Sequence, residues 1–423
     1  MKEIVLVGGF GFQDVGDESQ LTTSLINLKK LIPEAHFVAL SDNPKYTHEY
    51  HKIESEDSIN NYLFAKSRIY KCFLPLVYAL RVLVLLFNAG RLRKNKKPLF
   101  LNAKGKKLLD ILKNAGLLYN VGGGNLNSKW RFGGLYSKCI AYVLCRMFET
   151  PVILSGQTVG PFYGWLDRFI AKFALNRVNL ITLREKTSRH ILEQIGVVKP
   201  IIKVTADDAT LLPTNESKAE EVLSYQKIAG HGPLVVMNMV ELKILSEAKK
   251  RKAQNLLAQI ADYLISKHDA RILFVAMEYN PNADDRTAAL KILKLMKHPD
   301  KAGIITQEYD DQTLKGIIKQ ADLAIGLRYH FIVFAVNSQV PAIGIYLDDY
   351  YSIKIKGVLN LLNQDKYALD INKTTLQDLT KLTQEILSNK ESIRKKLKEQ
   401  TEDLEKHSLF SPKYAAKLLS LRN

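Results

Sequence analysis

Cysteine is scarce in this chain of 423 residues, which contains only Cys72, Cys139 and Cys145. Their spacing matches no metal-ligand pattern, and three cysteines cannot form the framework of a disulfide-stabilised secreted protein. The first apolar run, MKEIVLVGG, is too short for a secretory signal peptide, and no cleavage site follows it. We therefore expect a reducing, cytoplasmic location.

Acidic residues are also in short supply, because 43 Asp and Glu face 61 Lys and Arg and leave a formal net charge of +18. Such a balance indicates either a generally basic solvated surface or acidic partners, such as anionic membranes and phosphorylated or carboxylated substrates. The sequence lacks aromatic–basic interleaving, zinc-finger spacing and a helix-turn-helix pattern. We therefore expect no nucleic-acid partner.

Apolar strand-like runs alternate with helix-period segments along most of the chain, without a long internal repeat. The runs of the first half are EIVLVGG, HFVALS, GLLYNVGGG, PVILSGQ, NLITLRE and IKVTADDA. After a polar stretch at 212–233, the pattern restarts with PLVVMNMV, ARILFVAME, AGIITQ, DLAIGL and PAIGIYL. Such alternation predicts parallel sheets covered by helices on both faces. The predicted fold is α/β, with two Rossmann-like doubly wound domains facing a cleft in a glycosyltransferase-B-like arrangement.

The predicted domains are an N-terminal Rossmann-like domain at 1–215, on the acceptor side, and a C-terminal one at 216–370, on the donor side. A charged helical extension at 371–423 is expected to pack back on both. An apolar and basic insertion at about 62–100 contains CFLPLVYALRVLVLLFNAG, followed by RLRKNKK. Three alternatives remain open for it: a buried core helix, a helix at the membrane interface, or a membrane span. The second would give a peripheral contact with the inner face of the cell membrane.

Glycine-rich turns follow two of the predicted strands. The turn at 7–21 lacks the GxGxxG spacing and the ribose-binding acid of a dinucleotide site, so no cofactor is predicted. Asp17 at its end is a candidate substrate-binding residue. Gly123 and Gly124 would let backbone amides approach a ligand closely, and Asn125 could contact a sugar. The alternatives are a tight turn with helix-start acids and a permissive loop.

Two further strand ends carry polar residues. Gln157 and Thr158 lie between glycines after an apolar strand, in a pattern typical of a ligand loop. Arg184 ends a strand of buried character, so it either receives an anionic substrate group or pairs with a nearby acid such as Asp207 or Asp208. The sequence alone leaves both alternatives open.

The last strand end, DLAIGLRYHF, passes directly into an apolar helix. His330 is predicted in the first turn of that helix, where free backbone amides and the helix dipole attract anions. Arg328 adds a planar set of donors that suits phosphate or carboxylate. We therefore predict an anion-binding pair in the second domain.

Taken in order, these motifs resemble those of the polysaccharide pyruvyl transferase family. The resemblance covers nearly the whole chain and rests on DVGDE, GGGN, GQTVGP, TLREKTS, ADDA, GLRYH and VPAIGI. It departs from the family at Tyr350, where members often have a lysine, and Lys354 is the nearest substitute. Lys356 is also possible on sequence grounds.

The resemblance implies transfer of pyruvate from phosphoenolpyruvate to a sugar as a ketal, with release of phosphate. Arg184, Arg328 and His330 would then bind the donor, and His330 would transfer a proton. The acceptor would be a glycan or a lipid-linked sugar, and neither a cofactor nor a metal is implied. A sugar-nucleotide-dependent glycosyltransferase of the same fold stays open as the alternative, and so does a non-catalytic scaffold.

Overall fold

The computed structural model describes residues 2–64, 74–226, 228–241 and 246–421. The chain divides into two compact units. The first unit consists of Met1–Phe12, Gln20–Asp208 and Ser408–Asn423, and the second consists of Gln13–Ser19 and Ala209–His407.

The first unit is built on a parallel sheet of eight strands in the order β3-β2-β1-β4-β6-β7-β8, with β5 beside β6. The strands are β1 Lys2–Val7, β2 Ala35–Ser41, β3 Glu54–Asp57, β4 Leu117–Asn120, β5 Gly123–Leu126, β6 Val152–Val159, β7 Leu180–Leu183 and β8 Ile201–Val204. Its helices are α1 Val15–Leu31 from Gln20 onward, α2 Pro44–His51, α3 Ile59–Leu63, α4 Leu74–Arg93, α5 Ala103–Asn114, α6 Ser137–Met147, α7 Trp165–Leu175, α8 Lys186–Gln194 and, at the C-terminus, α17 Phe410–Ser420.

The core of this unit lies on both faces of its sheet. All eight residues of β6 are buried, as expected for a parallel strand with helices above and below it. Successive side chains alternate between faces. Leu118 and Leu154 therefore pack with α4 to α7, whereas Tyr119 and Ile153 pack with α1 and α17.

The second unit has a six-stranded parallel sheet in the order β11-β10-β9-β12-β13-β14. Its strands are β9 Leu234–Asn238, β10 Arg271–Phe274, β11 Ala302–Ile304, β12 Leu323–Gly326, β13 Ala342–Tyr346 and β14 Ala368–Asp370. Its helices are α9 Glu216–Tyr225, α10 Glu247–His268, α11 Asp285–Leu295, α12 Asp311–Lys319, α13 Tyr329–Asn337, α14 Asp349–Leu361, α15 Leu376–Ser388 and α16 Lys390–Ser408. This is the doubly wound order whose direction reverses between β9 and β12, where such sheets bind ligands.

The prediction of two parallel-sheet α/β units with a helical C-terminal region is confirmed. The limits of the units differ from the predicted 215/216 boundary, since the division falls between Asp208 and Ala209. The ammonium group of Lys315 donates to the backbone carbonyls of Ala209, Thr210 and Leu212, which holds this segment on the second unit. The predicted extension is also divided, because α17 belongs to the first unit.

The apolar segment of the insertion forms α4, although its first two residues, 72 and 73, lie outside the described part of the chain. In that part, Pro75–Arg93 is long and apolar enough to cross a membrane by length and composition, which is weak evidence by itself. Only 22% of this stretch is buried. One face packs on the core through Tyr78, Leu85 and Ala89, while most of the helix is exposed.

Candidate functional site

The predicted anion-binding pair lies at the carboxyl end of β12 in the second unit, next to the point where the strand order reverses. Arg328 is the N-cap residue of α13, and His330 is in the first helical turn, as predicted. A Cβ atom on Gly326 would lie 2.5 Å from the Phe331 ring, so glycine allows α13 to begin close to the strand. Asn238, at the end of β9, accepts the backbone N–H of Arg328 at 3.1 Å. The local structure therefore fixes both side chains at the switch point.

The Arg328 guanidinium is surrounded by three carboxylates. Its Nε and Nη2 donate to Asp285 at 3.0 and 2.8 Å, Nη2 also contacts Glu278 at 2.8 Å, and Nη1 contacts Asp14 at 3.3 Å. Burial opposes the charge on Arg328, but the carboxylates outweigh that effect and hold its pKa well above the usual value. Arg328 therefore holds three carboxylates together, and it would do so in addition to binding an anion.

Asp14 connects this cluster to the beginning of α1. One of its carboxylate oxygens accepts the backbone N–H groups of Gly16 and Asp17 at 2.9 and 3.2 Å, which caps the helix. The backbone around Asp14 also pairs with the segment after β10: Val15 donates to Met277 at 2.8 Å, and an isolated antiparallel bridge joins Asp14 to Glu278. Residues 13–19 are thereby built into the second unit.

Two of the carboxyl groups in the cluster are held toward their neutral forms. Burial raises the pKa of Glu278 well above its usual range, and the nearby charges of Asp14 and Asp285 act in the same direction against Arg328. Burial likewise raises the pKa of Asp285 despite its contact with Arg328. A proton held close to a guanidinium is suited to acid–base chemistry.

His330 is packed tightly between the start of α1 and an aromatic ring. A Cβ atom on Gly16 would lie 1.9 Å from the imidazole Nδ1, so only glycine at this position leaves room for the ring. The other side is the Tyr329 ring, at 5.0 Å between centroids and nearly edge-on. The Lys354 ammonium lies over the same tyrosine at 4.8 Å and over Tyr350 at 5.0 Å. Lys354 therefore lies beside Tyr329, the first residue of α13, which stands between Arg328 and His330 in the sequence.

Two acids accompany His330. Asp14, Asp17 and His330 have ligand atoms within 4.8 Å of one another, and this group could hold a cation. The sequence predicted no metal cluster, because His330 is far from Asp14 and Asp17 along the chain. Two carboxylates in this position would also orient the imidazole ring.

Arg184 lies in the first unit and is fully buried after β7. Its Nη1 donates to Asp207 at 2.6 Å and its Nε to Thr158 at 2.8 Å. The ion pair that the sequence left open as an alternative is therefore present. The role of Arg184 in binding an anionic substrate stays a prediction.

Asp208, beside this ion pair, joins two glycine-containing segments of the first unit. It accepts the backbone N–H of Gly122 at 3.2 Å and the hydroxyl of Ser155 at 2.8 Å, and a Cβ atom on Gly156 would lie 2.8 Å from its Oδ1. Burial and the neighbouring charge of Asp207 raise the pKa of Asp208 to about 7. This carboxyl group is therefore a buried proton-binding group.

Asp208 makes the stability of the first unit dependent on pH. The folded chain keeps a proton on Asp208 that the unfolded chain releases near pH 3.8. The stability that this proton contributes is therefore complete at low pH and is lost as the pH rises from 3.8 to about 7. We expect Asp208→Asn to gain stability over the wild type across that window, on the order of 2–4 kcal/mol. Urea unfolding followed by tryptophan fluorescence measures this, with the exposed Asp110→Asn as control. A difference that is constant with pH would contradict the prediction.

The remaining predicted residues of the first unit take part in sheet pairing or internal hydrogen bonds. Gly123, Gly124 and Asn125 lie in β5, which pairs with β6, and a Cβ atom on Gly123 would meet open space. The Gln157 amide donates to the carbonyls of Val121 and Ser155, and Thr158 donates to Glu185. Their roles in binding substrate stay predictions.

In the glycine-rich loop, the glycine that packing requires is Gly122, since its Cβ would lie 1.7 Å from an oxygen of Gln20.

A small pocket at the carboxyl ends of β1 and β2 was not anticipated either. Its polar lining comes from Asp42, Ser58, Asn60 and Lys138. Lys138 donates to the carbonyl of Gly8 at 2.7 Å. Ligand positions at strand ends could have indicated Asp42, which follows β2, whereas Lys138 comes from a helix without such a signal.

Solved structures of similar fold cover almost the whole chain at low identity. A glycosyltransferase from Rickettsia africae ESF-5 matches with a TM-score of 0.57 and 11% identity over 100% of this chain and 99% of that one. HepE of Anabaena, solved with UDP and glucose, matches with a TM-score of 0.57 and 14% identity over 99% of this chain and 100% of that one. UDP-GlcNAc 2-epimerase from Neisseria meningitidis matches with a TM-score of 0.58 and 10% identity over 100% of both chains. These likenesses show a glycosyltransferase-B-like fold.

Sequence comparison identifies the family. The amylovoran biosynthesis protein AmsJ of Erwinia amylovora is 23% identical over 262 residues, which is 60% of this chain and 62% of the length of AmsJ. The family model for polysaccharide pyruvyl transferase matches residues 14–349. That range contains Asp14, Arg184, Arg328 and His330. The chain therefore belongs to the polysaccharide pyruvyl transferase family.

Proposed function

We propose that the protein transfers pyruvate from phosphoenolpyruvate to two hydroxyls of a sugar in a polysaccharide precursor, forming a ketal and releasing phosphate. The observation that supports this most directly is the grouping of Arg328, His330 and Lys354 around the start of α13. Two fixed cationic side chains, an imidazole and a helix N-terminus together suit a compact anion with a phosphate and a carboxylate.

The charge balance of this site depends on Glu278, whose pKa is raised by burial. With Glu278 neutral, one carboxylate fewer competes with a bound anion for the Arg328 guanidinium, and Lys354 beside Tyr329 adds a second positive charge. Lys354 would meet the phosphate as a point charge on a flexible stem, while Arg328 would offer planar donors. Deprotonation of Glu278 would add negative charge beside the donor, so we expect binding to weaken as the pH rises through its titration.

The reaction requires one proton to be delivered and two to be removed. Protonation of the donor's methylene makes its carbon 2 electrophilic, and the first sugar hydroxyl adds there as its proton leaves. The second hydroxyl then attacks the same carbon, phosphate departs with the bonding electrons, and the second hydroxyl proton goes to phosphate. We assign proton delivery to His330, with Glu278 as a second proton-holding group next to Arg328. Arg328 and Lys354 would stabilise the departing phosphate.

The acceptor is proposed to be a glycan or lipid-linked sugar. The role of AmsJ in amylovoran biosynthesis supports a polysaccharide precursor as the substrate class. Asp17, a predicted substrate-binding residue, lies beside His330. A carboxylate there could hydrogen-bond a sugar hydroxyl and receive its proton.

Lys354 and Lys356 offer a matched test of the donor site, because both lie on α14 but the Lys356 ammonium faces Tyr346. Phosphoenolpyruvate should raise the melting temperature of the wild type, since binding to the folded state adds stability. We expect Lys354→Ala to weaken binding about tenfold or more and Lys356→Ala to leave it unchanged. Calorimetric titration of the same three proteins gives the affinities.

The same experiment separates the two candidate activities. Stabilisation by UDP-glucose without stabilisation by phosphoenolpyruvate would contradict the proposal and favour the glycosyltransferase alternative. Equal losses in both lysine variants would place the donor elsewhere.

A further inference from the structure

Helix α4 has an exposed face that is entirely apolar. Leu76, Leu80, Leu83 and Phe87 recur at helical spacing on this face, and each is between 55% and 69% exposed. The opposite face packs on the core through Tyr78, Leu85 and Ala89. Helices at a protein surface normally carry charged or polar residues on the outer face. An apolar row of this length indicates an apolar partner.

Helix α7 carries a second exposed apolar row. Trp165 is 78% exposed, and Phe169 and Phe173 follow it at intervals of four residues. Cations lie along this row, since the Arg177 guanidinium is 3.5 Å from the Phe173 ring centroid and both Arg168 and Lys172 are exposed. Aromatic rings flanked by long basic side chains are typical of helices that lie in a membrane interface.

The segment between α5 and α7 connects the two rows. The Phe132 ring stacks edge-on against Tyr78 of α4 at 5.4 Å. Its neighbour Arg131 pairs with Asp167 of α7 at 2.9 Å. Phe132 and Trp130 are themselves partly exposed. Both helices also pack against α6 and cover the same face of the first unit's sheet. We refer to α4, α7 and residues 130–132 together as the apolar surface.

The charge of the surrounding chain is strongly positive. Residues 74–148 contain 14 lysines and arginines and a single acidic residue, Asp110. Lys94, Lys96 and Lys97 are exposed directly after α4. Two copies of this chain meeting through the apolar surface would bring like charges together. An anionic lipid surface instead satisfies the apolar rows and the cations at the same time.

We propose that the apolar surface docks the first unit on the surface of an anionic lipid bilayer, with α4 and α7 at the headgroup boundary. The exposed leucine, phenylalanine and tryptophan side chains enter the acyl region, and the lysines after α4 contact lipid phosphates. This inference goes beyond the proposed reaction and does not depend on the identity of the donor.

The two tryptophans of the chain are Trp130 and Trp165, and both lie on the apolar surface. Their fluorescence therefore reports docking directly. We expect the full-length protein to float with vesicles of phosphatidylcholine and phosphatidylglycerol and to show a blue shift in emission. Binding to phosphatidylcholine alone should be much weaker. Trp165→Phe should remove most of the shift while flotation continues.

Two sets of substitutions test the apolar and the electrostatic contributions to vesicle binding separately. Leu80→Ser with Leu83→Ser should weaken vesicle binding about tenfold or more. Replacing Lys94, Lys96 and Lys97 by glutamine should weaken it about a hundredfold. The control is Leu290→Ser with Leu295→Ser, two half-exposed leucines on α11 of the second unit, and it should bind like the wild type. Circular dichroism confirms that each variant is folded.

Three results would overturn the proposal. The wild type could remain unbound with anionic vesicles, or the two surface variants could bind like the control. Alternatively, the protein could be a dimer that fails to float and that Leu80→Ser with Leu83→Ser converts to a monomer, which would make a second copy the partner. Because the readout is lipid binding, failure of the phosphoenolpyruvate test leaves this result unaffected.

Discussion

Replacement of His330 by alanine is expected to lower the rate of phosphate release from phosphoenolpyruvate, in the presence of a glycan acceptor, by about 10²–10⁴-fold. The reason is that the proposed reaction begins with proton delivery to the donor's methylene. His330 is the imidazole that lies with Arg328 and Lys354 at the start of α13. Initial rates of phosphate release at saturating donor measure the effect.

His330→Gln separates chemistry from packing, because the amide fills part of the ring's space but cannot deliver a proton. We expect it to be as inactive as His330→Ala, while the exposed His298→Ala serves as the matched control in the same unit. Gly16→Ala tests the role of His330 without changing the histidine itself, because the added Cβ must displace the imidazole ring. Full activity in His330→Gln would assign the histidine a packing role.

The strands that the sequence indicated were those with continuous apolar character. All residues of β6 and β9 are buried, and runs of this kind are visible without knowledge of the neighbours. By contrast, β3 has the sequence ESED and β5 has GGNL, so neither presents an apolar run. Both become strands because an adjacent parallel strand supplies backbone partners. Pairing of that kind depends on tertiary contacts that a local pattern cannot show.

The site was predictable only where its residues are close along the chain. Arg328 and His330 are separated by one residue at a strand end, so their position followed from the strand-to-helix transition. The Arg328 contact with Asp14 joins residues 314 positions apart. Asp285 lies 43 positions before Arg328, and Glu278 lies slightly further away. Carboxylates near helix starts are also common, because the helix dipole favours them. Their meeting around one guanidinium is a consequence of the fold.

Arg184 illustrates the limit of reasoning from one side chain. A long cation after a buried strand needs a negative partner, and the sequence offered a substrate anion or a neighbouring aspartate. The contact with Asp207 shows that the protein supplies one partner itself.

Removal of the Arg328 charge should destabilise the second unit strongly. Arg328→Met keeps the length of the apolar stem but leaves Asp285 without its main partner at a position where only 1% of that side chain is exposed. Glu278 and Asp14 lose the same cation. Breaking a buried ion pair from one side costs about 3–5 kcal/mol, since an uncompensated charge remains inside. We expect a loss of that size in the free energy of unfolding near neutral pH.

The neighbouring ion pair provides the matched control. Arg286 and Asp284 are in contact at 2.6 Å on the same unit, but their side chains are 31% and 19% exposed. Because water screens such a pair, Arg286→Met should cost only about 0–1 kcal/mol. Far-UV circular dichroism during urea unfolding suits this comparison, since both tryptophans lie in the first unit.

The pH dependence and a second substitution identify the cause of the loss. Burial already raises the pKa of Asp285 and Glu278, and without Arg328 these groups bind protons still more readily in the folded state. The destabilisation should therefore shrink as the pH falls and the carboxylates become neutral. Arg328→Met combined with Asp285→Asn should recover part of the stability, because the buried charge is removed along with its partner. If the loss equalled that of Arg286→Met and did not change with pH, the three carboxylates would not depend on Arg328, and the guanidinium would be available to an anionic donor without any cost to the fold.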